Sequence, residues 1–283
     1  MRRTRGENAT SVIDQVRALG LNPHPSSRLM RMRRALNRGP VPFEHPDFPA
    51  ALEAERDMQH LGFIFNQVNA HRDSPRFQKL AKDLLSDSVL PQDNREQSPG
   101  RDAQFELYLA AICQNAGLLP VDYAEPDVTC VVEGATFGIA AKRIKSLAQV
   151  KHHIRKAANQ IGKSQIPGVI ALDLSLAWNR SNAPIISRIQ SQMYLMILEA
   201  QGRQFFDKHH EDIYRWIAGK GVLAVVAFNF RIRLRQEDHW GLDGMTTWLS
   251  TTGGDEQAQP DYRKFYDGFW KGIPNVKDLE AED

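Results

Sequence analysis

The stretch EPDVTCVVEGATFGIAAKRIKS, residues 125–146, decides the fold. Val128–Glu133 and Thr136–Ile144 are β-rich runs on either side of Gly134, the pattern of a hairpin. Pro126 fixes the approach to the first run and Asp127 opens it. In the second run, strand alternation puts Gly138, Ala140 and Lys142 on one face, with open space expected beside the lysine because its two neighbours are small. Upstream, Ser98-Pro99 and Gly117 start and stop a helix over Arg101–Ala116, and Val121–Ala124 reads as a short strand. Downstream, Ser146 is positioned to cap a helix. Its apolar positions Leu147, Val150, Ile154, Ala157, Ala158 and Ile161 recur at steps of three and four. Gly168–Leu174 is a short apolar run suited to a buried strand. The order helix, three strands, helix, strand predicts an α/β protein with a mixed central sheet.

Around this core the chain changes character. Residues 1–97 read as helical and partly irregular. Asn8–Leu19 is a helix closed by Gly20, and Ser27 caps a very basic helix through Asn37. Pro40, Pro42, Pro46 and Pro49 then break the chain, and Ala50–Asn69 and Ser74–Ser86 form two further helices. The polar, Pro- and Gly-containing stretch Pro91–Gly100 marks a boundary. Beyond the core come helices near Ala183–Ala200 and Gln204–Ala218 and a strong strand at Val222–Phe230. Gly241–Gly254 reads as a loop or edge hairpin. The expected division is a helical region over 1–97, a core over 98–235 and an α/β extension over 236–283.

With 283 residues, 42% of them hydrophobic, the chain can bury a core and is not disordered throughout. Its longest apolar runs, such as Val222–Phe228, fall far short of the roughly 20 residues that cross a bilayer. Two cysteines, Cys113 and Cys130, make no disulfide framework, and no apolar segment follows the basic start, so a cytoplasmic protein is expected. The net charge of +2 hides an uneven distribution. Gly134–Leu172 contains no Asp or Glu yet carries Lys142, Arg143, Lys145, Lys151, Arg155, Lys156 and Lys163. The N-terminus concentrates arginines at positions 2, 3, 5, 17, 28, 31, 33, 34 and 38. Acids collect at Glu44–Asp57 and Asp278–Asp283. Such separation points to a polyanionic partner, nucleic acid first, against the plain alternative of solvated helix faces.

Four residues stand out chemically. Glu106 sits in a helix apolar on nearly every side, where an ionised carboxylate needs a compensating cation; the plain alternative is an edge position beside an arginine. Asp127 enters a strand after Pro126, a position also explained by turn chemistry. Lys142 lies on the small-residue face of the second run, where it can hold a phosphate or a water, or simply reach solvent. Gln160 borders the apolar stripe of the following helix and can reach the sheet or merely rim the core. The other side of that helix carries His152, Arg155, Lys156, Asn159 and Lys163, a basic face suited to phosphate contacts. His152-His153 and His209-His210 are adjacent pairs that point apart, not metal-ligand spacings. No zinc spacing, phosphate-binding glycine loop or nucleophile elbow is present.

Together, Glu106, Pro126-Asp127, Lys142 and Gln160 in the αβββαβ order resemble the PD-(D/E)xK nuclease superfamily, the restriction-endonuclease-like fold. The resemblance covers Arg101 to Ser175. It implies a metal-dependent nuclease hydrolysing phosphodiester bonds, in DNA first, with Mg²⁺ or Mn²⁺ held by Glu106, Asp127 and the carbonyl of Ala141. Lys142 would orient the nucleophile or offset developing charge, and Gln160 would position water or backbone. Arg143, Arg155, Lys156 and Lys163 would grip phosphates. A homodimer fits members that cut both strands. The sequence departs from the pattern at Ala140, where the second acid belongs, two residues before the lysine. Glu106 is the natural substitute and Asp173 a weaker one. The alternative is a nuclease-fold protein that binds nucleic acid or a protein partner without cutting.

Overall fold

A computed structural model describes residues 5–39, 41–42, 44–68, 73–93, 98–186, 191–236, 239–250 and 260–274. Among them seven strands form one mixed sheet: β1 (Val121–Asp122), β2 (Val128–Val132), β3 (Ala135–Arg143), β4 (Gly168–Asp173), β5 (Ile185–Ile186), β6 (Val222–Gln236) and β7 (His239–Ser250). β1, β2 and β3 are antiparallel neighbours, β3, β4 and β6 are parallel, and β7 closes the far side antiparallel to β6. β5 runs parallel to β6 farther along, at Arg233 and Leu234. The expected α/β class with a mixed sheet is therefore present. The β2–β3 turn has Glu133 at φ 50° and Gly134 at φ 89°. Two positive angles in a two-residue loop are what a right-twisted hairpin requires.

The helices are α1 (Arg5–Ala18), α2 (Arg28–Asn37), α3 (Phe48–Val68), α4 (Pro75–Asp83), α5 (Pro99–Asn115), α6 (Val150–Ser164), α7 (Ser175–Trp178), α8 (Ser191–Ile217) and α9 (Pro260–Gly272). α5 leads into the sheet, and α6 is the crossover that joins parallel β3 and β4, as such a connection demands. The two lie on opposite faces. Phe137, Ile139 and Ala141 of β3 share a buried cluster with α5, while Ala140 and Ile144 pack with Ile154, Ala157 and Ile161 of α6. The α5 side is deep, because Leu29, Met58, Phe65 and Phe77 of the N-terminal helices join Leu109 and Phe228 in the same cluster.

Several expectations need correction. Ser146 makes no capping bond; a single 3₁₀ turn, Leu147–Gln149, leads into α6 instead. The two helices expected after residue 183 are one, α8, which runs through Gly202. A Cβ at Gly202 would lie 2.0 Å from Thr247 Oγ1, so this glycine permits the close approach of β7 and does not end the helix. Of the segment Gly241–Gly254, read as a loop or edge hairpin, residues 241–250 belong to β7, which pairs antiparallel with β6, as the hairpin alternative has it. Arg28, placed by sequence in a basic helix, is fully buried. Residues 2 and 3, the core of the expected boundary at 94–97, residues 251–254 and the acidic tail lie outside the described residues. Cys113 and Cys130 are free and buried. Among the described residues no helix is long and apolar enough to cross a membrane.

Candidate active site

The β2–β3 hairpin brings Asp127 beside the end of β3. Val128, the first residue of β2, pairs with Ile139, and Asp127 immediately precedes it. The Pro126 ring lies over Gly138, where a Cβ would meet Pro126 Cδ at 2.7 Å. The space expected on the small-residue face is thus filled by proline and by α6. Asp127 Oδ2 accepts hydrogen bonds from the Ala141 amide and from Lys142 Nζ, both at 2.8 Å. Lys142 Nζ also donates to the Ala141 carbonyl at 2.8 Å. The ammonium therefore rests between a carboxylate oxygen and a carbonyl oxygen. From α6, Gln160 Nε2 donates to the Pro126 carbonyl at 2.9 Å and to Asp127 Oδ1 at 3.3 Å. Gln160 Oε1 is buried without a hydrogen-bond partner. Such an acceptor is costly unless a donor occupies the space beside it.

Glu106 comes from α5, on the other face of the sheet. Its carboxylate accepts from Arg76 Nη2 of α4 at 3.0 Å. Burial first, and the charge of Asp127 second, push the Glu106 carboxyl up from its ordinary 4.5 to about 7, against the pull of Arg76 and Lys142. Asp127, Lys142 and Gln160 thus meet in direct hydrogen bonds, whereas Glu106 is joined to them through the field and bonded to Arg76. Two carboxylates that repel each other across a buried site favour a cation between them. Among the described residues no group of three or more His, Cys, Asp or Glu could hold a metal ion. The acid set here is two, which suffices for a hard cation that keeps several waters.

The remaining expectations divide. Arg155, Lys156, Asn159 and Lys163 are exposed on the outer side of α6, as a phosphate-gripping face requires. Arg143 is not among them. It follows Lys142 on the strand, so alternation turns it to the opposite face, where Nε donates to Asp173 Oδ2 at 3.0 Å. Asp173 is held by Arg143 and by the Ser175 amide, and it makes no bond to Lys142 among the described residues. It is no substitute for the missing acid. Ala140 is fully buried.

Two features escaped the sequence reading. Arg76, the partner of Glu106, comes from a region assigned no part in the site. The second is a buried ionic network in which Asp57 of α3 accepts from Arg28 of α2 and from Arg101 and Gln104 of α5, while Glu53 accepts from Arg56 and pairs with Arg101. A signal existed. Glu53, Asp57 and His60 continue backwards the stripe of Leu61, Ile64 and Val68, and charged residues on a buried stripe imply partners. No family model, no curated protein and no solved structure matches the chain.

Proposed function

We propose that this protein is a metal-dependent nuclease that hydrolyses phosphodiester bonds, in DNA first, on a restriction-endonuclease-like αβββαβ core. The observation that carries the reading is the seat of Lys142 Nζ, 2.8 Å from both Asp127 Oδ2 and the Ala141 carbonyl. Two oxygens there already solvate a cation, and burial with the charge of Asp127 raises the Glu106 carboxyl even though Arg76 is bonded to it. Oxygen donors of this kind suit Mg²⁺ or Mn²⁺. Asp127, Glu106 and the Ala141 carbonyl would hold the ion. When bound, it would lower the pKa of a coordinated water and offset charge on the phosphate.

The chain's own residues supply the rest. Gln160 fixes Asp127 through Nε2 and offers Oε1 as an acceptor that orients a water proton. Lys142 places positive charge where the phosphate oxygens gain negative charge. In the reaction a water oxygen bonds to phosphorus and gives up a proton, the bond from phosphorus to the leaving sugar oxygen breaks, and that oxygen takes up a proton from water to leave as a hydroxyl. Arg155, Lys156 and Lys163 hold the backbone without reading sequence.

A second reading is favoured by Ala140. It lies two residues before Lys142, where the resemblance expects a second acid, and it is buried. A nuclease-fold protein that binds nucleic acid without cutting is the result if Glu106 cannot stand in. Incubation of purified protein with plasmid DNA decides between them. The nuclease reading expects cleavage with Mg²⁺ or Mn²⁺, none with EDTA, and a loss of roughly 10²–10³-fold in Lys142→Ala, which still shifts DNA in a gel. A wild-type protein that shifts DNA at low salt but never cuts it establishes the binder. One that does neither ends both readings.

A further inference from the structure

Lys142 and Arg143 are neighbours on β3 that face opposite ways, and the face taken by Arg143 holds a cavity of about 50 Å³. The cavity lies at the carboxyl ends of the parallel strands, beside Arg143, Asp173 and Phe230, with His60 and Arg56 of α3 and Arg101 of α5 on its other walls. That end of a parallel sheet is where open α/β folds place ligands. The volume suits a few waters or one tetrahedral oxyanion.

Three of the lining side chains have a buried nitrogen with no hydrogen-bond partner: Arg143 Nη1, Arg101 Nε and His60 Nε2. Arg101 is 3% exposed and His60 7%. Asp102 Oδ1 is 3.6 Å from Arg143 Nη1, too far for a hydrogen bond. His60 is packed between Tyr108 and Phe230, with ring centroids at 5.2 and 5.0 Å. The acids of the region are already engaged. Asp57 accepts from Arg28, Arg101 and Gln104, Asp173 accepts from Arg143 and Ser175, and Glu53 accepts from Arg56 and from Asn182. Arg28, Arg56, Arg101 and Arg143 thus stand against Glu53, Asp57 and Asp173, one guanidinium in excess. Asp102 is more than half exposed, and water screens its charge. A buried surplus of positive charge with idle donors is expensive unless an anion completes it.

We infer that this cavity receives a phosphate monoester, carried by a mononucleotide or by the end of a polynucleotide strand. Guanidinium donors match phosphate oxygens in geometry and charge, and three guanidinium side chains, Arg56, Arg101 and Arg143, line the cavity. A terminal phosphate enters a cavity of this size with its single ester substituent left at the mouth. The inference goes beyond the nuclease reading and stands without it, because binding is measured with no metal and no cleavage.

The test is thermal unfolding of the full chain in EDTA, with sodium phosphate compared with sodium chloride at equal ionic strength. At ten times the dissociation constant, phosphate raises Tm by about 3–6 °C over chloride. Equal Tm values in the two salts overturn the proposal. Arg143→Lys, which keeps the charge but loses the fork, and His60→Phe, which fills the cavity from α3, each remove most of the phosphate increment. Arg215→Ala, an exposed arginine of α8, leaves it intact. An increment untouched by both cavity variants also overturns the proposal, since the anion then binds elsewhere. A deoxynucleoside 5′-monophosphate that reproduces the shift identifies a small-molecule source. A 5′-phosphorylated oligonucleotide bound at least tenfold more tightly than its 5′-hydroxyl counterpart, with the mononucleotide inert, identifies a strand end. No preference for phosphate over hydroxyl in either form refutes the assignment.

Discussion

Lys142 and Arg143 are consecutive, yet they belong to two charge clusters built on opposite principles. On the α6 face, Lys142 joins Asp127 and Gln160 in a group whose hydrogen bonds are incomplete, since Gln160 Oε1 is idle, and Glu106 approaches it from α5 with its carboxyl raised to about 7. On the α5 face, Arg143 joins a network in which carboxylates are saturated with guanidinium donors. Asp57 sits far below the usual carboxylate range because Arg101, Arg28 and Arg56 outweigh its burial. The first cluster keeps hydrogen-bonding capacity unused. The second ties α2, α3, α5 and the sheet together and leaves only a few nitrogens over. Perturbed groups therefore mark both function and architecture, and what separates them is whether the acids or the bases are short of partners.

The largest effect expected from breaking this contrast is on the architectural side. Asp57→Ala leaves Arg28 and Arg101 buried with less compensation, and stability falls by about 3–5 kcal/mol in urea unfolding. A loss below 1 kcal/mol would mean that the network is not what joins the N-terminal helices to the sheet.

Next comes the reverse behaviour on the reactive side. Above pH 7 an ionised Glu106 costs the fold up to about 3 kcal/mol, because its carboxyl is raised from 4.5 to about 7. Glu106→Gln removes that cost and forfeits only the partly exposed pair with Arg76, worth less than about 1 kcal/mol. The variant is therefore more stable than wild type at pH 8 in EDTA by about 2 kcal/mol, while Mg²⁺-dependent cleavage is abolished. Mg²⁺ stabilises wild type and not the variant. Destabilisation by Glu106→Gln would show that the carboxylate is held for structure.

The reactive cluster was more legible in the sequence than the architectural one, for a physical reason. Asp127, Lys142 and Gln160 sit on a hairpin and the helix that follows it, and period-two and 3.6-residue patterns place their side chains without long-range knowledge. The β2–β3 turn was equally local, fixed by Gly134. The reading went wrong where a partner came from far away. Arg143 looked like a surface cation because Asp173 lies 30 residues on. Helix α8 reads as two helices, near Ala183–Ala200 and Gln204–Ala218, and the contact that explains Gly202 between them comes from Thr247 on another element. Arg28 reads as part of a basic cluster for a polyanionic partner because Asp57 and Gln104, its actual partners, are 29 and 76 residues distant. Ala140 was visible as a departure from the motif, but its burial against α6 was not.

The smallest expected effect is the most discriminating, because the two clusters titrate in opposite senses over nearly the same range. His60, on the architectural side, is pushed down from 6.5 to about 4, first by burial and then by Arg56, against the pull of Asp57 and Asp173. Its depressed folded value means that the unfolded chain takes up the proton first, so stability is lost as pH falls from 6.5 to 4. Glu106 has a raised folded value, so the folded chain takes up the proton first, and stability is gained as pH falls from 7 to 4.5. Each contribution reaches about 3 kcal/mol, and in wild type they nearly cancel. The lesser shifts follow the same pairing, with Asp102 raised and His153 and His209 lowered. Asp57 and Asp173, both depressed, act only below their ordinary 3.8. Stability in EDTA is therefore almost flat between pH 6.5 and 4.5. Glu106→Gln converts the plateau into a steady fall toward acid, and His60→Gln converts it into a rise. Urea midpoints measured across this range in the three proteins give the answer, and parallel profiles in all three would refute the assignment of opposite signs to Glu106 and His60.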